Sequence, residues 1–531
     1  MSALSPRIRH LVDGALLVEY PEAADEEASR AAVGLGAFLR EKAPEGLHDA
    51  VPGARTLFCA FEPRHLSHDA LSQRIAAAPP AAARAAETRE HRIPVVYGGD
   101  SGPDLTALAR RAGLSVEEAE RRHASALYRV AFLGFAPGFA YLTGLPSELT
   151  APRLATPRPR VSGGSLAVAG FYSGVYPADG PGGWNLIGRA AARLFDPAAQ
   201  PPSLLLPGDR VRFDRETPEG FAKSLAALPP LRGAPSPAGI PLFRLATAGL
   251  WSVVCGAPFS GRGAFGLPPS GAMDLESLAA GNALAGNPPG AEALEFAVAG
   301  PELEALADAT LVLSGATCDA ALDGRAVAGG APLRIFRGSK LVLGPVRSGV
   351  YSYLCVAGGL AAAGRLSLPT RLAAGDQILR AVGEAGPTAP LAAAPAPGRS
   401  FPLSDDQVVR ILLGPQEFTE EGVAALLGPA YGVSSTSDRR GIRLEGPRLA
   451  SRDGAEIPPE GTALGAIQVP ADGQPIVLGP DRPVTGGYAK IATVVGADFP
   501  LVAQARPGTT LRFRAVSLAE ALEARGRMTG P

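Results

Sequence analysis

The chain has 531 residues, too long for a single hydrophobic core, so three or four domains are expected. Its formal net charge is −1, and such a balance lacks the basic surplus that would favour nucleic acid or an anionic membrane as a partner. Glycine (65 residues) and proline (52 residues) punctuate short runs of Val, Ile, Leu and Phe, which is typical of a turn-rich β protein.

The cysteines and the N-terminus point to a cytoplasmic protein. The four cysteines are far apart and form no C-x-x-C, so neither a disulfide framework nor a cysteine zinc site is expected. The first residues contain no apolar signal core, and no apolar run is long enough to span a membrane. No metal site is predicted.

Residues 1–85 are predicted to form a small α/β domain. The sequence favours a strand that ends at Val18, a helix over Glu26–Arg40 with apolar residues at helical spacing, and a strand over Thr56–Phe61. The Ala/Pro run from Ala76 to Ala86 is predicted to be a connector.

Residues 90–215 are predicted to form a β-barrel preceded by two helices. A strand is expected over His91–Val96, and G-P-D-L at Gly102 leads into a helix. Ser115 and Glu118 form a capping box for the second helix, which is expected to end near His123. The sequence is β-like from there to Phe213, and residues 215–240 are predicted to be a linker.

The C-terminal half is predicted to contain two more domains. Residues 240–385 are β-rich with one helix at Leu275–Leu284, and strands are expected at Ala309–Leu313 and Lys340–Leu343. The Pro/Ala-rich segment Ala385–Pro402 is predicted to be a linker. Residues 405–520 are predicted to form another β domain.

An internal repeat connects the second and fourth domains. The stretch from Gly183 to Phe213 recurs, altered, from Gly487 to Phe513, with a Gly-Gly-aromatic corner near its start and a strand after Pro-Gly at its end. The segments before them also match, at Gly164 and at Gly465. The repeat predicts one fold used at least twice, and a site is expected where the two copies meet.

Several motifs in the first barrel carry a functional and a structural interpretation. G-F-A-P-G-F at Gly134–Phe139 is either a packed turn or a pocket wall. A proline-rich, extended segment carries Arg153, Arg158 and Arg160. Their guanidinium groups could bind a phosphate or a carboxylate, or they could simply lie in solvent at the edge of the domain. S-G-G-S at Ser162–Ser165 is either an anion-binding turn or an ordinary one.

Other candidates stand out as single residues. All six histidines lie at or before His123, which directly precedes the barrel and is a candidate for a catalytic or binding role. Glu295 lies in an apolar run and requires a partner, whereas Asp274 is expected to cap a helix. Gln468 alternates with Ile467 and Val469, so it faces the other side of its strand. There is no P-loop, and no Met-Lys-Met biotin-attachment sequence occurs in the chain.

Together these motifs resemble a known pair of bacterial proteins. The segments Arg92–Leu105, Gly134–Leu142 and Gly174–Arg189 resemble the B subunit of 5-oxoprolinase, also called the allophanate-hydrolase-subunit-1 or kinase-inhibitor family. The C subunit of the same enzyme is similar to segments in the C-terminal half, namely Ser270–Asp274, Gly414–Phe418, Ser437–Leu444, Gly465–Val477 and Thr485–Tyr488. The paired unit is also similar to the carboxyltransferase part of urea carboxylase and urea amidolyase.

The resemblance implies a mainly β fold with a small α+β N-terminal unit and at least two cyclophilin-like β-barrels. It implies an ATP-dependent hydrolase, using Mg with ATP, that opens 5-oxoproline to glutamate together with a separate A subunit. Catalytic candidates are then His123, Arg160, Glu295 and Gln468. Candidates for binding substrate or nucleotide are Phe135, Phe139, Arg153, Ser165, Tyr176, Trp184, Asp274, Gln474, Thr485 and Tyr488.

Three alternatives to this hydrolase stay open. The first is the carboxyltransferase component of a biotin-dependent urea or amide carboxylase, which would take biotin from another chain. The second is a non-enzymatic regulator that binds a histidine kinase, and the third is an enzyme that acts on a related amide.

Overall fold

The computed structural model describes residues 6–21, 25–79, 89–230, 238–361, 370–382 and 406–528. The N-terminal unit is an antiparallel four-stranded sheet of order β1-β2-β4-β3 with two helices. Its elements are β1 (Arg7–Val12), β2 (Ala15–Glu19), α1 (Asp25–Glu41), β3 (Leu47–Pro52), β4 (Thr56–Phe61) and α2 (His68–Ala76). The predicted helix and strands are confirmed, while α2, capped by the Ser67 side chain, was not predicted.

The next unit is a closed barrel of seven strands in the order β10-β7-β6-β13-β5-β12-β9. Its strands, and a two-stranded ladder β8–β11 beside it, are β5 (Glu90–Tyr97), β6 (Tyr128–Leu133), β7 (Ala140–Thr143), β8 (Arg158–Val161), β9 (Ser165–Ala169), β10 (Tyr172–Val175), β11 (Gly180–Gly182), β12 (Asn185–Ala190) and β13 (Arg210–Arg215). The helices α3 (Leu105–Arg111) and α4 (Val116–Ser125) pack on it, and the Ser115 side chain caps α4 as predicted.

The prediction of a linker over residues 215–240 is wrong in part. Residues Pro218–Ala226 form α5, which the Thr217 side chain caps by accepting a hydrogen bond from Gly220 N–H. Phe221 is the buried residue of α5, and the prolines around this helix led to the linker prediction. The predicted linker at Ala385–Pro402 lies outside the described residues.

The third unit is a nine-stranded sheet with one helix against it. Its elements are β14 (Gly239–Thr247), β15 (Trp251–Cys255), α6 (Leu275–Leu284), β16 (Ala293–Ala297), β17 (Glu302–Ala305), β18 (Ala309–Leu322), β19 (Arg325–Ala326), β20 (Leu333–Ile335), β21 (Lys340–Val356) and β22 (Gln377–Ala381). Helix α6 has the bounds that were predicted for it, Leu275–Leu284. Two predicted strands are longer than their apolar runs because β18 and β21 pair with each other along most of their length.

The fourth unit is a second closed barrel, of order β23-β30-β27-β28-β25-β24-β31, with a ladder β26–β29. Its elements are β23 (Asp406–Leu413), α7 (Glu420–Leu427), β24 (Tyr431–Val433), β25 (Gly441–Glu445), β26 (Glu456–Gly461), β27 (Ala466–Gln468), β28 (Ile476–Leu478), β29 (Thr485–Tyr488), β30 (Lys490–Val494), α8 (Phe499–Ala503), β31 (Thr510–Ala515) and α9 (Leu518–Met528). None of the helices in the described ranges has the length and apolar character needed to cross a membrane.

The two barrels have the same topology, which confirms the predicted repeat. In each barrel the first strand pairs in parallel with the last one, β5 with β13 and β23 with β31. The other strand pairs follow in the same antiparallel order. Even a register shift recurs, between Leu186 and Gly188 in the first barrel and at Ile467–Gln468 in the second. A mainly β chain with a small α+β N-terminal unit and two related barrels is therefore confirmed.

Both barrels and the N-terminal sheet come into close contact. A Cβ on Gly134 of the first barrel would lie 1.7 Å from Thr485 Oγ1 of the second, and that hydroxyl donates to the Leu133 carbonyl (3.4 Å). The N-terminal sheet contacts the second barrel through Gly461, where a Cβ would lie 2.2 Å from Phe58 Cβ. Glycine at both positions lets the backbones approach.

Gly134→Ala is expected to lower stability by about 1–3 kcal/mol, because the new methyl group overpacks the contact with Thr485. Thr485→Ala removes Thr485 Oγ1, the atom nearest to the new methyl group. The double variant Gly134→Ala/Thr485→Ala should therefore recover most of the lost stability. Gly180→Ala is the matched control, since a Cβ there meets nothing within 4 Å. Urea denaturation measures all three variants, and equal stability of Gly134→Ala and Gly180→Ala would contradict the contact.

Candidate functional site

The Gly-Gly-aromatic corner of the second barrel lies over a buried amide. A Cβ on Gly486 would lie 2.4 Å from Gln468 Nε2, so a side chain at this position would displace the amide. Gln468 is buried, and its Nε2 has no hydrogen-bond partner among the described residues. An orphaned buried donor costs free energy, so a fold keeps one where a ligand or function uses it.

A buried ion pair lies beside this amide. Lys490, directly opposite Gln468 in the strand ladder, is 1% exposed, and its Nζ lies 2.7 Å from Glu460 Oε1. Gln416 Nε2 donates to the same oxygen (2.9 Å), and Gln416 Oε1 accepts from Lys490 N–H (2.9 Å). Glu460 Oε2 accepts no hydrogen bond from the described part of the chain, so it is an open acceptor.

The first barrel shows that the fold does not require this cluster. At the equivalent register its strands pair Leu186 with Ala167, where the second barrel pairs Lys490 with Gln468. The backbone at this position is held in the same way in both barrels. Asp104 Oδ2 accepts a hydrogen bond from Leu186 N–H (2.7 Å), and Gln416 Oε1 accepts one from Lys490 N–H. Since burying charge and amide costs free energy that an apolar pair avoids, the polar pair indicates function.

A cavity of about 610 Å³ opens beside the cluster, between the N-terminal sheet and the ladder β26–β29. Its volume lies within the range of small-molecule sites. Glu460 and Gln416 reach it from the second barrel, and Thr56 reaches it from β4. The lining is strongly charged, with Arg7, Arg9, Glu19, Arg55, Glu417, Asp453, Glu456 and Glu460.

The predicted pocket residues of the first barrel form an aromatic cluster. Phe139, Tyr176 and Trp184 are buried and in ring contact, while Phe135 is 45% exposed and lies against Phe139 with a positive φ of 65°. Burial raises the pKa of Tyr176 above its ordinary value. Arg153 lies exposed near these rings, so this surface has aromatic and cationic character.

Neither Gly-Gly-aromatic corner lines the 610 Å³ cavity. Thr485 of the second corner contacts the first barrel, and Tyr488 ends β29 beside the ion pair. The 610 Å³ cavity is instead lined by the N-terminal sheet and the second barrel. Ser165 is buried in β9, and Gln474 is bonded to the Gly446 backbone in a turn.

The predicted acid/base and anion contacts lie apart from the cavity. His123 is 1% exposed, with Nδ1 2.9 Å from Tyr97 OH and Nε2 3.0 Å from Ser173 Oγ. Burial lowers its pKa to about 3, so the ring is neutral near pH 7. Arg160 is exposed and paired with Asp179 (2.7 Å), so neither His123 nor Arg160 belongs to the site beside the cavity.

Glu295 and Asp274 join the nine-stranded sheet to the second barrel. Glu295 is fully buried and accepts hydrogen bonds from Arg439 Nη1 (2.5 Å) and Tyr353 OH (2.7 Å). Asp274 caps α6 as predicted by accepting from Ser277 N–H (3.0 Å). Their partners satisfy these carboxylates, which gives them a role in holding the two units together.

Gln468 was a predicted site residue, but the charged residues around it were not predicted from the sequence. Lys490 is one of the chain's few lysines and follows Gly-Gly-Tyr inside an apolar run. Aligning the two repeats places Lys490 opposite Leu186, and that substitution was the available signal. The positions of Glu460, Thr56 and Arg7 depend on contacts between distant segments, and sequence spacing gives no indication of them.

The buried His123 predicts an acid-sensitive fold. Its folded pKa of about 3 is below the ordinary 6.5, so its contribution to stability is full above pH 6.5 and is lost as pH falls toward 3. From about pH 7.5 to about pH 5 the loss is about 2 kcal/mol. In urea denaturation, the free energy of unfolding of His123→Gln should fall by about 2 kcal/mol less than that of wild type over this pH range. Identical pH profiles for variant and wild type would contradict the assignment.

Lys490→Leu should lower stability by about 3–5 kcal/mol, because it leaves the Glu460 carboxylate buried without its cation. The double variant Lys490→Leu/Glu460→Gln removes both charges and should regain most of this loss. Lys340, which is exposed on β21, provides the control Lys340→Leu. If urea denaturation gave Lys490→Leu and Lys340→Leu the same free energy of unfolding, the buried ion pair would be disproved.

Comparisons with known proteins match the chain in two parts. A family model for carboxyltransferase domain, subdomains C and D, matches residues 6–205, and one for subdomains A and B matches residues 265–515. The B subunit of 5-oxoprolinase from Bacillus subtilis is 35% identical over 221 residues, which cover 39% of this chain and 92% of that protein.

The C-terminal part has its own relatives. The C subunit of 5-oxoprolinase from Escherichia coli K12 is 33% identical over 294 residues, 54% of this chain and 94% of that protein. The crystal structure of TTHA0988 superposes on this chain with a TM-score of 0.81 and 36% sequence identity. The match covers 96% of this chain and 100% of the TTHA0988 chain. The chain therefore belongs to the family of the B and C subunits of 5-oxoprolinase, and it carries both carboxyltransferase-type parts in one polypeptide.

Proposed function

We propose that this chain is the fused B–C component of an ATP-dependent 5-oxoprolinase, working with a separate A subunit. The observation that carries the proposal is the nearly complete coverage of one B subunit (92%) and one C subunit (94%) by consecutive parts of a single chain. The buried cluster of the second barrel and its cavity supply a site for the substrate.

The chemistry requires activation of a stable amide. Transfer of the γ-phosphoryl group of ATP to the lactam oxygen yields ADP and converts that oxygen into part of a leaving group. Water then adds to the carbonyl carbon, the C–N bond breaks with protonation of nitrogen, and a second water releases phosphate, which gives glutamate. Such steps need charge stabilisation around phosphate and fixed partners for the amide.

Lys490 acts in this proposal as a positioning residue. Its ammonium holds Glu460 Oε1 at 2.7 Å, which leaves Glu460 Oε2 as an acceptor at the cavity. Gln416 fixes the same carboxylate from the other side (2.9 Å). A locked acceptor orients an amide N–H without the entropy cost of ordering the side chain at each turnover. ATP, with Mg²⁺, enters as a substrate.

A second candidate function follows from the family descriptions. Both matching models describe carboxyltransferase subdomains, so transfer of a carboxyl group from a biotin carrier to urea or another amide is the alternative. The chain contains no Met-Lys-Met attachment sequence, so the carrier would be a separate protein.

Reconstitution tests the proposal. The purified chain mixed with the A subunit of a 5-oxoprolinase is expected to release ADP and glutamate in equal amounts from 5-oxoproline and ATP. Each protein alone, and the mixture without ATP, are the controls. Absence of glutamate, together with biotin-dependent carboxylation of urea when a biotin carrier is added, would replace this function with the alternative.

A further inference from the structure

The ladder β26–β29, which carries Glu460, is a separate sheet of two strands outside the closed circuit of the second barrel. Its strands pair at Glu456, Glu460 and Gly461 of β26, and the register shifts between the first two of these residues. A sheet of two strands is at best marginally stable by itself. The position of Glu460 therefore depends on what packs against the ladder from outside the barrel.

The turn between β3 and β4 holds the first strand of the ladder. Ala54 N–H donates a hydrogen bond to the carbonyl oxygen of Pro459 (2.8 Å), the residue before Glu460. A Cβ on Gly53 would lie 2.8 Å from both Pro459 O and Glu460 Cα. The backbone of this turn therefore lies directly against the backbone that carries the Glu460 carboxylate.

The first barrel holds the second strand of the ladder. Thr485 pairs with Gly461 across the ladder, and its Oγ1 donates to the Leu133 carbonyl (3.4 Å). The next residue, Gly486, pairs with Glu460. Both strands are thus held by the N-terminal half of the chain, one by its sheet and the other by its barrel.

The first barrel carries the equivalent ladder, β8–β11, in a more exposed position. The repeat aligns Gly182 with Gly486, so Arg158, the ladder partner of Gly182, takes the place of Glu460. Arg158 Nη2 donates to Asp104 Oδ1 (2.8 Å), and the side chains of this pair are 30% and 17% exposed. The fold therefore places an ion pair here without burying it.

The burial of the Lys490–Glu460 pair accompanies the contacts on its ladder. A Cβ on Gly180 of β11 would meet no described atom within 4 Å, which shows an open ladder in the first barrel. The side chains of Lys490 and Glu460 are only 2% and 6% exposed. Burial strengthens the attraction between two charges, but it also raises the cost of poor geometry. A dehydrated pair therefore needs its ladder to be held in place.

We infer that the N-terminal half of the chain positions Glu460 for Lys490 through the β3–β4 turn, so that the ion-pair site of the second barrel is complete only when the two halves are docked. Gly53 and Ala54 are then positioning residues, because neither lines the cavity and both act through the backbone of β26. The inference rests on the proposed function for the reaction that the site serves.

A double-mutant cycle in stability tests the placement without an assay of activity. Urea denaturation of Lys490→Leu, Glu460→Gln and the double variant gives the coupling energy of the pair. In a Gly53→Ala background the added methyl group displaces β26, so this coupling should fall by at least half. Gly281→Ala, where a Cβ would lie 2.3 Å from Ser314 Oγ inside the third unit, is the matched control background and should leave the coupling unchanged.

Ala54→Pro is a second and milder background. It removes the N–H that holds the Pro459 carbonyl, and proline suits the first central position of a turn. The coupling energy should fall here as well, although no methyl group is added at Gly53. Unchanged coupling in both backgrounds, or an equal fall with Gly281→Ala, would overturn the inference.

Glutamate release with the A subunit separates this inference from the proposed function. Gly53→Ala should lower turnover about tenfold or more, because a displaced group no longer fits the reacting complex, and Gly281→Ala should turn over like wild type. If the coupling falls as expected but wild type releases no glutamate, the inference stands and the hydrolase function fails. If wild type and Gly53→Ala release glutamate equally and the coupling is unchanged, the hydrolase function stands and the inference fails.

Discussion

The Lys490–Glu460 ion pair lies inside a barrel whose twin in the same chain has no charge at the equivalent strand pair. Removing an ammonium and a carboxylate from water costs several kcal/mol per ion, and their attraction and hydrogen bonds offset that cost only when the geometry is good. Here Gln416 and the ladder partner Gln468 surround the pair. The duplicated fold acts as an internal control, because the first barrel has the apolar residues Leu186 and Ala167 at this strand pair, and the ion pair beside them, Arg158–Asp104, is only partly buried.

Close approach of the units converts this pair into a site. Gly53 and Gly461 allow the N-terminal sheet and the ladder of the second barrel to touch, and Gly134 allows the same between the barrels. The cavity is left between the sheet and the ladder, so its basic and acidic walls come from separate parts of the chain. A site of this kind forms only when both halves are folded and docked, which is a physical reason for joining them in one polypeptide.

Much of the fold could be predicted from the sequence because its signals are local. The Ser115 cap of α4 and the helix Leu275–Leu284 needed only neighbouring residues, and the repeat needed only an internal comparison. The Glu118 side chain of the predicted capping box instead accepts hydrogen bonds from Arg121 and Arg122. The site was predicted less well. His123 and Arg160 have reactive side chains, but the fold buries one among aromatic rings and pairs the other with Asp179. Residue type alone does not encode burial or partners.

The residues that were missed share one cause. Glu460 and Thr56 become neighbours through a contact between segments about 400 residues apart, and no spacing rule reaches that far. Lys490 was within reach, since its alignment with a leucine in the other repeat exposes a charge placed where the fold accepts an apolar side chain.

The most direct test is the turnover of Lys490→Leu/Glu460→Gln, a variant that removes the buried ion pair from the second barrel. Glutamate release with ATP and the A subunit should fall by at least about a hundredfold while urea denaturation shows a folded protein. Wild-type turnover by this folded variant would contradict the claim that the buried ion pair exists for function.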